Sequence, residues 1–237
     1  MGRASVSVAG WTSGAAVLLL GACGLLVACG PGAEGSTRIE WPPGTVLAVD
    51  GVPVSAGEVD RVAAWAALLH PEHSRAQQRR EALTGLVLPR AAAATAAPEA
   101  RLAALEECRA YLDYERGGPL PPTMGPVGPP WETSGTWNEL GFHYWGPATE
   151  LEPGTWSEPE EGMGHWFILR VDAREPAPDA RRGVLALSLR SFPYLPEDTD
   201  RRGFEQLIDE RELVIVDPAW EEIVPATWKH RMRGKER

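Results

Sequence analysis

The chain has 237 residues, of which 43% are hydrophobic, and this length suits one domain of ordinary size or two small ones. Its formal net charge is -10 and it contains no long basic run, so we exclude nucleic acid as an expected partner. Three cysteines cannot form a disulfide framework, so we do not expect disulfide bonds to be the main source of stability.

The N-terminal segment is typical of an export signal. Residues 14–28 form an unbroken run of apolar or small residues, and at 15 residues this run is shorter than a membrane-spanning helix needs to be. The sequence Leu26-Val27-Ala28-Cys29 resembles the lipobox of bacterial lipoproteins, in which the chain is cut before a cysteine that is then acylated.

This resemblance implies a signal peptide at 1–28 and a lipid anchor at Cys29, with the rest of the chain facing the periplasm. The residue after the cysteine is Gly30, whereas an Asp at this position would favour retention in the inner membrane. We therefore expect the lipid to anchor the chain in the outer membrane. The alternatives are an uncleaved anchor and a plain secretory signal. The Gly- and Pro-rich residues up to 45 then predict a flexible tether, 29–45.

The next segment predicts a strand, a tight turn and a helix. Val46–Val49 is the strand, and Asp50-Gly51 supplies the turn. Ser55 is a good N-cap, followed three residues later by an acidic residue, and the helix it starts should end near Pro71.

Two further helices complete a predicted helical domain, 46–116. The second begins at Ser74 and is kinked or ended by Pro89, and the third begins near Pro98 and stops at Gly117. The spacing places four residues of the third helix on one buried stripe: Leu102, Leu105, Cys108 and Leu112. Cys108 is therefore interpreted as a core residue and not as a nucleophile.

Residues 117–136 contain six Pro and five Gly, which excludes a helix, argues against a central strand and predicts a semi-rigid connector. The chain beyond it is rich in tryptophan and in turns. Pro153-Gly154 is a type II turn signal. The elements predicted after it are two strands, a helix, a third strand and a frayed basic tail, at Trp166–Val171, Val184–Leu189, Phe204–Arg211, Leu213–Val216 and 229–237 in that order.

Several of these segments resemble one family. VLAVDGVPVSAGEVDR, at 46–61, resembles the start of SurA-type periplasmic chaperones and of parvulin-type (PpiC-like) peptidyl-prolyl isomerases. Glu139–Phe142 resembles the acidic-Leu-Gly-aromatic stretch of that family, and Leu151–Pro159 matches its L-x-P-G-x-x-S-x-P turn and strand.

The resemblance implies an α+β fold in which an N-terminal helical SurA-like domain is completed by a returning segment, 176–228, that contains a strand, a helix and a strand. A truncated parvulin-like α/β lobe, 137–175, is then an insertion. We expect this lobe to be too short for the complete four-stranded sheet, because the connector occupies the place of the first parvulin strand.

The resemblance also implies a function. Phe167 stands at the position of the family's active-site histidine, while His165 lies two residues earlier on the same strand face. We therefore expect a chaperone or holdase that has lost isomerase activity, needs no cofactor, and binds unfolded or Pro-containing polypeptides. The expected peptide-binding residues are Trp137, Phe142, Trp145 and Phe167.

Three alternatives remain open. The four aromatic residues could simply be the core of a small lobe. The chain could be an active prolyl isomerase that uses His165. It could also be a Trp-rich envelope protein that binds glycans or other partners.

Other residues that can carry chemistry give weaker signals. His70-Pro71-Glu72-His73 has two histidines at a helix break with no further His or Cys nearby, so we predict no metal site there. His143 is an isolated surface candidate. Glu158, Glu160 and Glu161 are interpreted as a solvated acidic loop, not as paired catalytic carboxylates.

Overall fold

The fold is mixed α+β, with two antiparallel sheets. The computed structural model describes residues 40–120, 128–196 and 201–232, which belong to one compact unit. The predicted signal peptide, Cys29 and most of the tether lie outside these residues. The described helices are α1 Ala56–Leu69, α2 Arg75–Ala82, α3 Leu88–Ala96, α4 Pro98–Glu115, α5 Trp137–Glu150, α6 Arg201–Asp209 and α7 Ala226–Arg231. The described strands are β1 Thr45–Val49, β2 Val52–Ser55, β3 Trp131–Gly135, β4 Glu160–Glu161, β5 His165–Glu175, β6 Val184–Pro193 and β7 Leu213–Ile215.

The first sheet joins the two ends of the described chain. Its strand order is β2-β1-β7, and β1 is fully buried between its two antiparallel neighbours. The turn between β1 and β2 uses positive φ at Asp50 and Gly51, as an Asp-Gly hairpin requires. Strand β7, from the C-terminal part of the described chain, thus pairs with the N-terminal strand β1.

We call helices α1 to α4 the helical block (56–115), and its first two helices begin where their caps predict. Ser55 accepts a hydrogen bond from the backbone N–H of Glu58 at 3.1 Å. Ser74 and Gln77 form a reciprocal capping box at the start of α2. Pro89 does not end the helix. A π-helical turn at Leu83–Val87 precedes it and the chain continues as α3, so the regular hydrogen-bond pattern is altered in the turn that a proline at position 89 would disturb.

The second sheet has the order β3-β6-β5-β4, and together with α5 we call it the lobe (131–193). Its four antiparallel strands correct the expectation of an incomplete sheet. Residues 184–193, which the predicted boundaries assign to the returning segment, lie between β3 and β5 and fill the sheet. Trp131–Gly135, within the predicted connector, is an edge strand, so it needs hydrogen-bond partners on one side only.

Two hydrophobic clusters hold the helical block and the lobe together. Strand β5 contributes to both, because Phe167 and Leu169 on one face pack in the larger cluster while Ile168 on the other face packs with Cys108. Salt bridges reinforce this contact: Arg61 pairs with Glu150 and Glu160 of the lobe.

Two local predictions are wrong. Leu102 is 58% exposed, and the buried stripe of α4 consists of Ala104, Cys108, Tyr111 and Leu112. The basic tail is not frayed at its start, because α7 continues to Arg231 and both Trp228 and Met232 are buried. In α4, Phe192 packs against Tyr111 at 5.5 Å between ring centroids, and this contact lies outside the local sequence pattern.

Candidate functional site

Two histidines and a tyrosine meet at the start of β5. The ring centroids of His143 and His165 are 6.2 Å apart, with ring planes nearly perpendicular at 82°. The Tyr144 hydroxyl lies 3.3 Å from Nε2 of His165. We call these three residues the imidazole cluster. Each is only partly exposed, so the cluster is sheltered from water without being sealed from it.

Two glycines make room for the imidazole rings. Gly141 breaks α5 with a φ of +67°, which turns the chain so that His143 and Tyr144 begin a second helical stretch. A side chain at Gly141 would meet the His143 ring at 3.1 Å, and one at Gly162 would meet the His165 ring at 2.6 Å. The placement of the imidazoles thus depends on the absence of a Cβ atom at both positions.

The cluster is electrically neutral at pH 7. Burial, helped by the neighbouring His165, lowers the pKa of His143 to about 4. Burial also lowers the pKa of His165, although a hydrogen bond to the backbone of Met163 and the charge of Glu161 act in the opposite direction. Burial raises the pKa of Tyr144, so its hydroxyl keeps its proton. The cluster therefore offers neutral hydrogen-bond donors and acceptors.

Phe167 forms the floor of the cluster. Its ring centroid lies 5.0 Å from that of Tyr144 and 5.6 Å from that of His165. Phe167 and His165 project from the same face of β5, as the strand alternation predicts, but Phe167 is 1% exposed and lies in the hydrophobic core. A peptide could contact His165 from solvent, whereas Phe167 lies beneath it.

The four aromatic residues expected to bind peptide do not form one open groove. Trp145 is buried at 4% exposure and, like Phe167, is a core residue. Trp137 and Phe142 are partly buried and lie against each other, with ring centroids 6.0 Å apart. For Trp145 and Phe167 the structure thus favours the alternative interpretation, in which these aromatic residues fill the lobe.

Charged residues beside the cluster form a network that the sequence analysis missed. Glu161 accepts hydrogen bonds from Arg101 at 2.5 Å and from the Tyr194 hydroxyl at 3.0 Å. Arg101 and Glu161 line a cavity with a volume of about 260 Å³. Arg90 and Glu58 line the same cavity and pair with each other. The opposite charges come from distant parts of the sequence, so no local pattern could have revealed the network.

The prediction of a solvated acidic loop is therefore wrong for two of its three residues. Glu160 and Glu161 are not solvated, because they are clamped by Arg61 and Arg101 of the helical block. Only Glu158 fits the prediction, with a side chain that is 72% exposed and pairs with a surface arginine.

Cys108 is fully buried, and burial raises the pKa of its thiol to about 12. A thiol that stays protonated in the core is a packing residue, as predicted.

Comparison of the chain with protein-family models, with curated proteins and with solved structures finds no match. Among the described residues, none of the helices combines the length and the apolar character that crossing a bilayer requires.

Proposed function

We propose that the chain is a lipid-anchored peptidyl-prolyl isomerase of the bacterial envelope, related to the parvulin type, and that the imidazole cluster is its active site. The observation that carries this proposal is the convergence of His143, Tyr144 and His165 over the apolar ring of Phe167. A four-stranded antiparallel sheet supports the cluster. Among the alternatives drawn from the sequence, this geometry favours the isomerase over the holdase.

Rotation about an X-Pro bond faces a barrier of about 18–20 kcal/mol, because the planar amide loses resonance when it twists. A catalyst lowers this barrier if it binds the twisted amide more tightly than either planar isomer. Neutral hydrogen-bond donors in a poorly hydrated site can do so without transferring a proton. The lowered pKa of His143 and of His165, and the raised pKa of Tyr144, keep the cluster in this neutral state.

The departures from the parvulin pattern are compatible with this proposal. His165 lies at the partly exposed end of the same strand face as the buried Phe167, so it can replace a histidine at position 167. The second imidazole, His143, comes from α5 and not from a first strand. A strand does precede α5 in the sheet, but it is the short edge strand β3, which pairs with β6.

Isomerase activity is tested with a proline-containing peptide in a protease-coupled assay. We expect turnover above background for the full chain, and a loss of at least about 10-fold in kcat/KM for His165→Ala and for His143→Ala. His230→Ala, which changes an exposed histidine of α7, is the control and should retain full activity. Background turnover by the unaltered chain would overturn the proposal.

A holdase without catalysis is the second candidate, and the partly accessible pair of Trp137 and Phe142 favours it. Aggregation of an unfolded client, followed by light scattering, distinguishes the two functions. Suppression of aggregation that is lost in Phe142→Ser, together with background isomerase turnover, would favour the holdase.

The membrane location has its own test. A lipid on Cys29 predicts that the mature chain is found in the membrane fraction and begins at Cys29, and that Cys29→Ser, which removes the acylated residue together with the cleavage signal, leaves an uncut chain without the acyl groups. Mass spectrometry of the mature N-terminus would show the added acyl mass, and an unmodified cysteine would contradict the anchor.

A further inference from the structure

The short loop between α1 and α2 brings together three side chains that can bind a metal ion. One ligand atom from each of His70, Glu72 and His73 lies within 4.8 Å of the others. Oε1 of Glu72 is 3.6 Å from Nδ1 of His70 and 4.0 Å from Nε2 of His73. Ligands of a tetrahedral zinc ion, each about 2.0–2.1 Å from the metal, are roughly 3.4 Å apart. Glu72 is thus spaced from both histidines nearly as in a zinc site, which argues against the sequence-based prediction of no metal site at this helix break.

Glu81 of α2 gives a second, independent indication. One of its carboxylate oxygens is 2.5 Å from Nδ1 of His73, and the other is buried without a hydrogen-bond partner among the described residues. A histidine that binds a metal usually donates the N–H of its other ring nitrogen to a carboxylate. Glu81 would fix the proton on Nδ1 of His73, which leaves the Nε2 lone pair free on the side where Glu72 lies.

Backbone hydrogen bonds hold the loop in this shape. The N–H of His73 donates to the carbonyl of His70 at 3.0 Å, and the side-chain amide of Gln78 donates to the carbonyl of His73 at 3.0 Å. The two imidazole rings are stacked, with centroids 4.7 Å apart, so they would have to tilt for both nitrogens to face one ion. Side-chain rotation is a small change compared with folding a loop, so most of the organisation is already present.

We propose that His70, Glu72 and His73 form a site for a divalent cation of the zinc class, with Glu81 as a positioning residue. Two imidazoles and a carboxylate are typical of zinc and its neighbours, whereas magnesium and calcium prefer oxygen ligands alone. The Glu72 side chain is 62% exposed, which leaves a path for the ion and a place for a water ligand. This site lies outside the imidazole cluster and goes beyond the proposed isomerase function.

Isothermal titration of the full chain, purified without a histidine tag, with zinc chloride tests the proposal. We expect about one equivalent of zinc to bind through this site and magnesium chloride to give no binding. His70→Gln, His73→Gln and Glu72→Gln should each abolish this binding, and Glu81→Gln should weaken it about 10- to 100-fold. His230→Gln is the matched control on an exposed surface and should bind as the unaltered chain does.

The variants also locate the ion. Glu72→Gln changes an exposed side chain, so its loss of zinc cannot be attributed to misfolding, and circular dichroism of each variant without zinc checks the fold. Zinc binding that is equally strong in the His70 and His73 variants would overturn the proposal, because the ion would then bind elsewhere. Unchanged affinity in Glu81→Gln would also overturn it, since a solvated histidine pair would not depend on that carboxylate.

Discussion

The indole ring of Trp65 packs so closely against position 146 of α5 that only glycine fits there. A Cβ atom at position 146 would lie 2.2 Å from this ring, which is far closer than any real contact. Trp65 cannot move away easily, because it is 3% exposed and its Nε1 donates a hydrogen bond to Glu150 at 2.6 Å. The close approach of α5 to α1 therefore depends on a single missing methyl group.

We expect Gly146→Ala to lower the free energy of unfolding by about 2 kcal/mol, because the added methyl group overpacks the contact with Trp65. The control is Gly57→Ala in the first turns of α1, where a Cβ atom would meet only Ser55 Oγ at 3.9 Å. That change should stabilise the chain by roughly 0.5 kcal/mol, through the better helix propensity of alanine. Urea denaturation of both variants measures the difference, and equal midpoints would contradict the prediction.

The neutral state of His143 predicts a dependence of stability on pH. Its pKa is about 4 in the folded protein, against an ordinary value of 6.5, so between these two values the unfolded chain binds a proton that the folded chain does not. The contribution of His143 is therefore fully present above about pH 6.5 and is lost as the pH falls towards 4. The loss is at most about 1.4 kcal/mol for each pH unit.

Urea denaturation at pH 7, 6, 5 and 4.5 measures this slope. His143→Gln should flatten it, whereas His230→Gln, at an exposed position of α7, should not change it. Identical slopes in the unaltered chain and in the His143 variant would show that His143 is not buried in its neutral form.

At the scale of elements, Glu161 connects strand β4 to helix α4. Its side chain is 10% exposed, and it accepts hydrogen bonds from Arg101 and Tyr194. Glu158, only three residues earlier, also pairs with an arginine, Arg116 at the end of α4, but its side chain is 72% exposed. The two pairs have similar chemistry and differ mainly in their contact with water.

We expect Glu161→Ala to destabilise the chain by about 2–3 kcal/mol, because Arg101 and Tyr194 would lose a partner in a poorly hydrated place. Glu158→Ala should cost less than about 0.5 kcal/mol, as exposed ion pairs usually do. Thermal unfolding of the two variants gives the comparison. A similar loss of stability in both variants would mean that the charge of the carboxylate, and not its burial, determines how much it stabilises the fold.

Elements whose signal is local could be predicted from the sequence. The Asp50-Gly51 turn, the Ser55 and Ser74 caps and the Pro153-Gly154 turn are confirmed, the last by a φ of +83° at Gly154 and a hydrogen bond from Thr155 N–H to the Glu152 carbonyl. Strand β3 could not be predicted, since its Pro-rich surroundings disfavour strands and only its pairing with β6 stabilises it. For the imidazole cluster, the sequence indicates His165 as a candidate but places His143 alone at the surface. The latter is wrong, because after the break at Gly141 the His143 ring lies partly buried against Tyr144 and His165.

At the scale of the whole molecule, the helical block and the lobe share one hydrophobic cluster. Leu47, Val59 and Leu83 pack in the same cluster as Leu169 and Leu187 of the second sheet. Within the described residues, the lobe therefore shares its core with the rest of the chain. The position of β6 could not be inferred from the sequence. The predicted boundaries put this strand after the lobe, whereas in the structure it lies inside the second sheet.

A shared core predicts a single unfolding transition. Thermal unfolding followed by far-ultraviolet circular dichroism, which reports mainly on the helices, should coincide with unfolding followed by tryptophan fluorescence, which reports on indoles in both parts. Two separated transitions would contradict the prediction and would indicate that the lobe unfolds on its own.

The position of β7 has a consequence for biosynthesis. Strand β1 is among the first described segments to be made, yet its second neighbour comes about 165 residues later, at Leu213–Ile215. Until the ribosome has delivered almost the whole polypeptide, one edge of β1 has no partner. A nascent chain of this design stays open late in translation, which is compatible with the export that we propose for it.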